Sequence, residues 1–483
     1  MDLHYISATE AIRLFSSKEL SPVELLTAVI DRAEVVEPVV NSLCHTFYDE
    51  ALQQARQAEA RYAGKGPAPR PLEGIPLAVK EHEPIAGQPW TQASLLFKDE
   101  IATETSCFAQ RTIDAGAIVH ARATGPEFGA AVLTRSRIWG PTRNPWNPRY
   151  DVGGSSGGSG AALAAGTATL ATGSDLGGSI RIPASFTGVV GYKPPYGRVP
   201  SEPTGNHDTY LHYGPMARTV EDTVLLQNVI AGPDDSDIAS IWPKVELPLT
   251  FESVAGMRIA LSVDFGGWAV DQEVRRNTLD VADALRAAGA IVDEVDLVLE
   301  REKVNRAAGI HISTIRLSDG SWDAFLKENS DVISNELVWT SGRHRLHGEG
   351  GSIEDGWEIE QELYAALTTV FASYDALICP TVATTGLLAD EDYPDDYRVS
   401  VDGIALEGPF DAMMTMPFNV LSRCPAISVP SGFASNGVPT GIQVVGPAYR
   451  DEVVFRVAAS IQQAKPWMDV PDRRPGTLSS WTP

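Results

Sequence analysis

Ser179 stands in the segment Gly173–Pro183 (GSDLGGSIRIP), where a hydroxyl could be approached closely by backbone N–H groups. A second run, Gly153–Gly160 (GGSSGGSG), lies just upstream. Runs so rich in glycine and serine ordinarily read as flexible linker. These two enclose Ala161–Ala165 and Thr167–Thr172, which have helix-like and strand-like composition, and linkers seldom enclose core material. Three chemistries compete for such a stretch. A phosphate cradle needs GxxxxGK[ST], and no Lys-Ser or Lys-Thr follows either run. A dinucleotide fingerprint needs a strand before its glycines, and Asn144–Asp151 is turn-like. The third is a serine nucleophile in a glycine turn, with N–H groups facing an oxyanion. Serine needs a base, and no histidine lies between His120 and His207, nor is there a GxSxG elbow. A Ser-His-Asp triad has no local support, although distant histidines could fold in. Lysines remain as candidate bases, and a lysine works near neutrality only when burial lowers its pKa. Lys80 is the best placed, because it ends the apolar run Gly74–Lys80 (GIPLAVK). The same lysine could equally be a strand end whose stem packs while its ammonium reaches water.

The elements that must position these residues alternate between helix and strand. The first seventy residues read as helices: Ser7–Glu10 and Ser21–Glu24 are capping boxes, and Pro22 takes the first helical position. Tyr48–Tyr62 makes a third helix. After the Lys80 strand, the pattern predicts a helix over 108–115, a strand over 117–121 and a helix over 126–133. A strand over 188–194 comes next, and the segment 214–222 opens a helix with Thr219 as its cap. A βαβ unit spans 257–295. The strands 426–430 and 441–446 are joined by the hairpin signal Ser435–Pro439, and a helix covers 452–464. Residues 300–350 are mixed and polar, and no mechanism is placed there. Such alternation predicts an α/β fold, a sheet covered by helices.

Composition sets bounds. The chain has 483 residues, which as length alone suggests two or three domains. Its 63 acidic and 38 basic residues give a net charge of −25, which repels polyanions, so nucleic acid or an anionic membrane is an unfavourable partner. Cys44, Cys107, Cys379 and Cys424 never form a CxxC pair, and there is no HExxH. Neither a disulfide framework nor a metal site is implied. His344 and His347, spaced i, i+3, are read as part of a basic surface segment. The N-terminus lacks signal-peptide regions, and no apolar run approaches 18 residues. The expectation is a cytoplasmic protein. The acidic stretch Ala389–Tyr397 reads as a solvated loop.

Taken together, these segments resemble the amidase signature enzymes. Gly74–Glu81 is similar to that family's lysine strand, and Gly153–Ala184 to its serine- and glycine-rich hallmark. Gly188–Pro194, Gly214–Asp222 and Phe418–Pro430 are similar to its later blocks, in the family's order. The resemblance implies one large α/β domain over 1–483, a central twisted mixed sheet covered by helices, with the helical region 1–70 packed on the same core. It assigns Ser179 as the acyl-forming nucleophile, Ser155 as a bridging serine after a cis peptide bond, and Lys80 as the base. Backbone N–H groups of Leu176, Gly177, Gly178 and Ser179 would hold the oxyanion. Ser156, Asp175 and Arg181 fit a supporting shell, and local turn hydrogen bonding accounts for them equally well.

The implied activity is hydrolysis of a small-molecule carboxylic amide to acid plus ammonia or amine, with no metal or cofactor, in a chain whose relatives are often homodimers. Two other functions fit the same blocks. One is the glutaminase subunit of a tRNA-dependent amidotransferase. The other is a non-catalytic binding protein, which has no need of Lys80, Ser155 and Ser179 together. The chain departs from the family pattern at Gly125, where an asparagine is common, and before Gly214, where His207, Tyr210 and His212 occur. These departures bear on substrate identity, not on reaction type.

Overall fold

The run Pro76–Lys80 is buried along its whole length, as a strand covered on both faces must be. Its side chains divide by the two-residue period of a strand. Leu77 and Val79 pack with Phe15, Leu25 and Phe108 of the flanking helices. Ala78 packs with Leu163 and Ala164, on the other face. Lys80 therefore follows Ala78 toward the helix Gly157–Ala165. That helix is buried over all nine residues, which its run of glycine and alanine permits.

The computed structural model describes residues 2–201, 205–315, 321–391, 398–468 and 470–475. Eleven strands hydrogen-bond into one sheet: β1 (Leu43–Thr46), β2 (Pro76–Lys80), β3 (Ile118–Ala123), β4 (Leu170–Asp175), β5 (Val190–Lys193), β6 (His212–Ala217), β7 (Arg258–Leu261), β8 (Ile291–Glu294), β9 (Ala376–Pro380), β10 (Ala426–Phe433) and β11 (Pro439–Val445). Their spatial order is β1-β3-β2-β4-β6-β5-β10-β11-β9-β7-β8. β2 runs parallel to both β3 and β4, and β7 runs parallel to β8 and β9, while the remaining pairs are antiparallel. This is a mixed sheet with helices on its faces, a single α/β domain. The length prior of two or three domains is overridden because one core runs continuously across the sheet, from Ala78 on β2 to Ile442 on β11. Among the described residues no helix is long and apolar enough to cross a membrane.

Local signals account for many boundaries. Ser21 and Glu24 form the reciprocal capping box. At Ser7 only half of it forms: Ser7 accepts from Glu10 N, while the Glu10 carboxylate turns to Arg13. β10 and β11 pair through the predicted hairpin, with Gly437 at φ 82°. β7, the helix Gln272–Ala287 and β8 form the predicted βαβ unit.

Elsewhere the structure corrects the expectation. Residues 126–133 hold only the short turn Glu127–Gly129, because Phe128 and Gly129 adopt φ of 52° and 67°, which ends any right-handed helix. That turn places Phe128 against Phe97, Trp322 and Phe325. Gly214–Ala217 pairs with β4 as part of β6, and the helix begins only after Thr219. β1 was not expected; it joins the sheet edge between two helices. Residues 301–315, 321–328 and 335–348 are helices that turn a mixed set of residues to a cavity, from Ile312 and Trp322 to Thr340 and His344, which blurs the apolar period. His344, expected in a surface segment, is half-buried against Phe410 and lines a cavity. Of the acidic loop, Asp390 pairs with Arg143 at 2.7 Å; residues 392–397 lie outside the described residues.

Candidate active site

Three segments converge at the ends of β2 and β4. Lys80 closes β2, Ser155 stands just before Ser156, the N-cap of the helix Gly157–Ala165, and Ser179 lies in the turn between β4 and the helix Arg181–Thr187. The two glycine- and serine-rich runs are tied together: Ser156 N donates to Ser179 O at 3.0 Å, and Ser174 N donates to Ser156 Oγ at 3.3 Å. The Gly154–Ser155 peptide is cis. Lys80 Nζ bonds Ser155 Oγ at 2.7 Å and Ser174 Oγ at 2.9 Å. In a stretch otherwise buried, Ser174, Leu176, Gly177 and Ser179 are partly exposed. They face a cavity of about 560 Å³ whose wall also includes Lys80 and Ser155. The structure thus brings Lys80 into direct contact with Ser155 and puts Ser179 on the same cavity wall. Among the hydrogen bonds of the described residues, none joins the Ser155 and Ser179 hydroxyls.

Electrostatics sharpen the site. Lys80 is 1 % exposed, and burial pulls its pKa down to about 8 against the opposing pull of Glu83 and Asp175. At pH 7 roughly one lysine in ten is then neutral and able to accept a proton. The other lysine buried in this region, Lys193, is brought to about 7 by burial and by Arg181, but it does not line the cavity. Asp175 and Arg181 form a bidentate pair with both side chains fully buried, at 2.9 and 3.0 Å. Burial alone would raise the Asp175 carboxyl, but Arg181 and Asn419 hold it well below the usual carboxylate range. Arg181 reaches further, to Thr415 O, Gln443 Oε1 and Asn419 Oδ1. The pair therefore fixes the turn that carries Ser179 against β11 and the segment 415–419.

The same carboxylate engages the turn's backbone. Gly178 N donates to Asp175 Oδ1 at 2.8 Å, and Thr415 Oγ1 donates to Gly177 O at 2.6 Å. Gly178 has φ 125°, and a Cβ there would overlap the Thr415 hydroxyl, so only glycine fits. Ser156 bonds Ser174, and Asp175 and Arg181 hold the turn, so all three candidate supporting residues contact the segment that carries Ser179. Sequence reasoning missed Ser174, Thr172 and Glu83. Thr172 and Ser174 alternate on β4 and face Lys80, and Glu83 reaches Thr172 from the turn after β2.

The departures from the family pattern fall near this site. A Cβ on Gly125 would come within 2.5 Å of His82 Cε1, so the His82 ring occupies that space and lines the cavity. His82 Nε2 donates to Pro126 O at 2.8 Å, and burial drives its pKa down to about 3. His212 sits between the carbonyls of Asp175 and Ser422, and Tyr210 stacks on His311 at 3.7 Å. His207 is exposed, and none of the three lines the cavity. Among the described residues there is no cluster of side chains that could hold a metal ion.

Comparison with known proteins follows the same outline. A family model described as Amidase matches residues 24–455. The chain is 33% identical over 477 residues to an acylamidase of Rhodococcus erythropolis, covering 97% of each. It is 31% identical over 486 residues to a glutamyl-tRNA(Gln) amidotransferase subunit of Carboxydothermus hydrogenoformans, covering 96% of this chain and 98% of that one. A crystal structure of a bacterial aryl acylamidase, one of the amidase signature enzymes, superposes with a TM-score of 0.88 at 28% identity over 100% of both chains.

Proposed function

This chain belongs to the amidase signature family and is an amidase, and from that premise we propose that it hydrolyses a small carboxylic amide through a Ser179 acyl-enzyme. The observation that carries this reading is the 2.7 Å contact between Lys80 Nζ and Ser155 Oγ, buried at the wall of the cavity that Ser179 also faces. Neutral Lys80 takes the Ser155 proton while Ser155 takes that of Ser179. Ser179 Oγ attacks the amide carbon, and the carbonyl oxygen becomes the oxyanion. As the C–N bond breaks, Lys80 returns its proton through Ser155 to the leaving nitrogen. Water then enters along the same relay, is deprotonated, attacks the ester, and releases the acid with Ser179 reprotonated. Hydroxyl contacts that are long in an unliganded enzyme tighten when substrate fills the site. Because Gly178 N–H already serves Asp175, the oxyanion donors in this reading narrow to the N–H groups of Leu176, Gly177 and Ser179. No step calls on a metal or cofactor, and we take residues 1–483 as one catalytic unit in the cytoplasm, with a homodimer as its assembly.

A second reading, the glutaminase subunit of a tRNA-dependent amidotransferase, is favoured by the relatives of that name. Two features stand against it. The net charge of −25 suits tRNA poorly. Among the described lining residues Lys80 is the only lysine or arginine, and an amino-acid carboxylate calls for such a partner. Ser179→Ala and Lys80→Ala should each abolish amide turnover with the fold intact by circular dichroism. Full turnover by either variant excludes the proposed relay. Co-purification of partner subunits with tRNA-glutamate amidation would establish the second reading instead.

A further inference from the structure

We propose that Glu83 is the buried counter-charge of Lys80, a positioning residue that stabilises the ammonium formed when Lys80 accepts the serine proton. The inference rests on the reading of Lys80 as the base. Glu83 is 2% exposed in the turn directly after β2, and its N–H donates to Lys80 O at 3.0 Å. Its Oε2 accepts from Thr172 Oγ1 at 2.6 Å, and Thr172 Oγ1 accepts from Lys80 N at 3.2 Å. Thr172 and Ser174 thus form two rungs on one face of β4. The upper rung holds the Lys80 amine, and the lower one holds its backbone together with the Glu83 carboxylate. Arg122 on β3 secures the same turn, donating to the carbonyls of Lys80, Glu81 and Glu83.

The charged and titratable groups around Lys80 can be weighed one by one. Asp175, from β4, faces it but is neutralised by Arg181 at 2.9 Å. His82 is kept neutral by burial. Glu81 is turned toward Thr91 N. Arg122 extends its guanidinium over backbone carbonyls and Gln88 Oε1. Ser155 and Ser174 contribute hydroxyls only. Glu83 exerts the largest charge effect on Lys80 and opposes the influence of burial. Creating an ammonium on a side chain this buried is unfavourable unless an anion is already in place. A fixed carboxylate supplies that anion without reorganisation as the proton moves.

The test is the pH profile of kcat/KM for the full-length enzyme on a neutral amide, comparing wild type, Glu83→Gln and Glu83→Asp. Melting temperatures are measured alongside. Loss of an opposing charge makes Lys80 a weaker base. The ascending limb of Glu83→Gln should therefore move to lower pH by about one unit or more, and the plateau rate should fall about tenfold or more. Glu83→Asp keeps the charge but retracts it, and should move the limb less in the same direction. A limb that stays at the wild-type pH in both variants overturns the proposal, whatever happens to the melting temperature. Should Glu83→Gln fail to fold, the position of the limb in Glu83→Asp decides. Failure of the underlying reading is distinct: wild type would then show no ascending limb near pH 8, or Lys80→Ala would retain its rate.

Discussion

Lys80 must be neutral to take a proton, and this fixes the sign of the pH dependence. Its pKa is lowered by burial from 10.5 to about 8, so the catalytically competent form grows as pH rises through that value. We expect log kcat/KM to climb with unit slope below about pH 8 and to flatten above it; a profile flat from pH 6 to 9 would exclude Lys80 as the base. Ser155→Ala removes the relay between Lys80 and the nucleophile, and turnover should fall by about 10²–10⁴-fold, the remainder passing through a trapped water. As candidates, Ser179 and Lys80 were legible from residue type and position, one in a glycine turn, the other ending an apolar strand. Ser155 was legible only through resemblance, since nothing in its spacing marks it. Ser174 and Thr172 went unread, because a hydroxyl aimed at a lysine from the next strand shows only once β2 and β4 are paired, and Glu83, in the turn after β2, because its carboxylate meets Thr172 only in that pairing.

The turn Asp175–Arg181 is the element on which the placement of Ser179 depends. Its two ends are joined by a fully buried ion pair, and Arg181 carries the connection on to Thr415, Asn419 and Gln443. Arg181→Met would strand the Asp175 charge. The expected destabilisation is about 3–5 kcal/mol, read as a lowered denaturant midpoint. The double variant Asp175→Asn, Arg181→Met should recover part of it, because no unpaired charge remains. Equal stability of Arg181→Met and wild type would show that the pair does not hold the turn. At this scale the sequence was informative where local chemistry decides: the Ser21 cap, the Gly437 hairpin and the Thr219 cap all fall where predicted. It misled where tertiary context decides. Phe128 adopts a left-handed conformation and packs on Trp322 and Phe325. Gly214–Ala217 becomes a strand by pairing with β4 despite its proline.

At the scale of the whole molecule, one mixed sheet carries Lys80 and Asp175 at the ends of β2 and β4 and Gln443 within β11, so the segments that hold Ser155 and Ser179 are anchored to the sheet. The cavity above it draws Ile312, Trp322 and Leu337 from the helices of 301–348. Those residues were unreadable as a site, since their helices follow no clean apolar period. With Leu176, Ile182 and Phe410 they supply the apolar part of a mixed chamber whose wall also carries Lys80, Ser155, Ser179, Asp208 and His344. A neutral amide bearing an apolar or aromatic group should therefore be turned over with a higher kcat/KM than glutamine, and the reverse order would favour the glutaminase reading. The proposed mechanism turns on the bond formed at Ser179. Its most direct measurement is intact-mass and peptide mapping of the enzyme after reaction with a serine-reactive phosphonate. One adduct per chain is expected, on the peptide that carries Ser179, and none in Ser179→Ala. An adduct on another residue, with Ser179 unmodified and turnover lost, would contradict it.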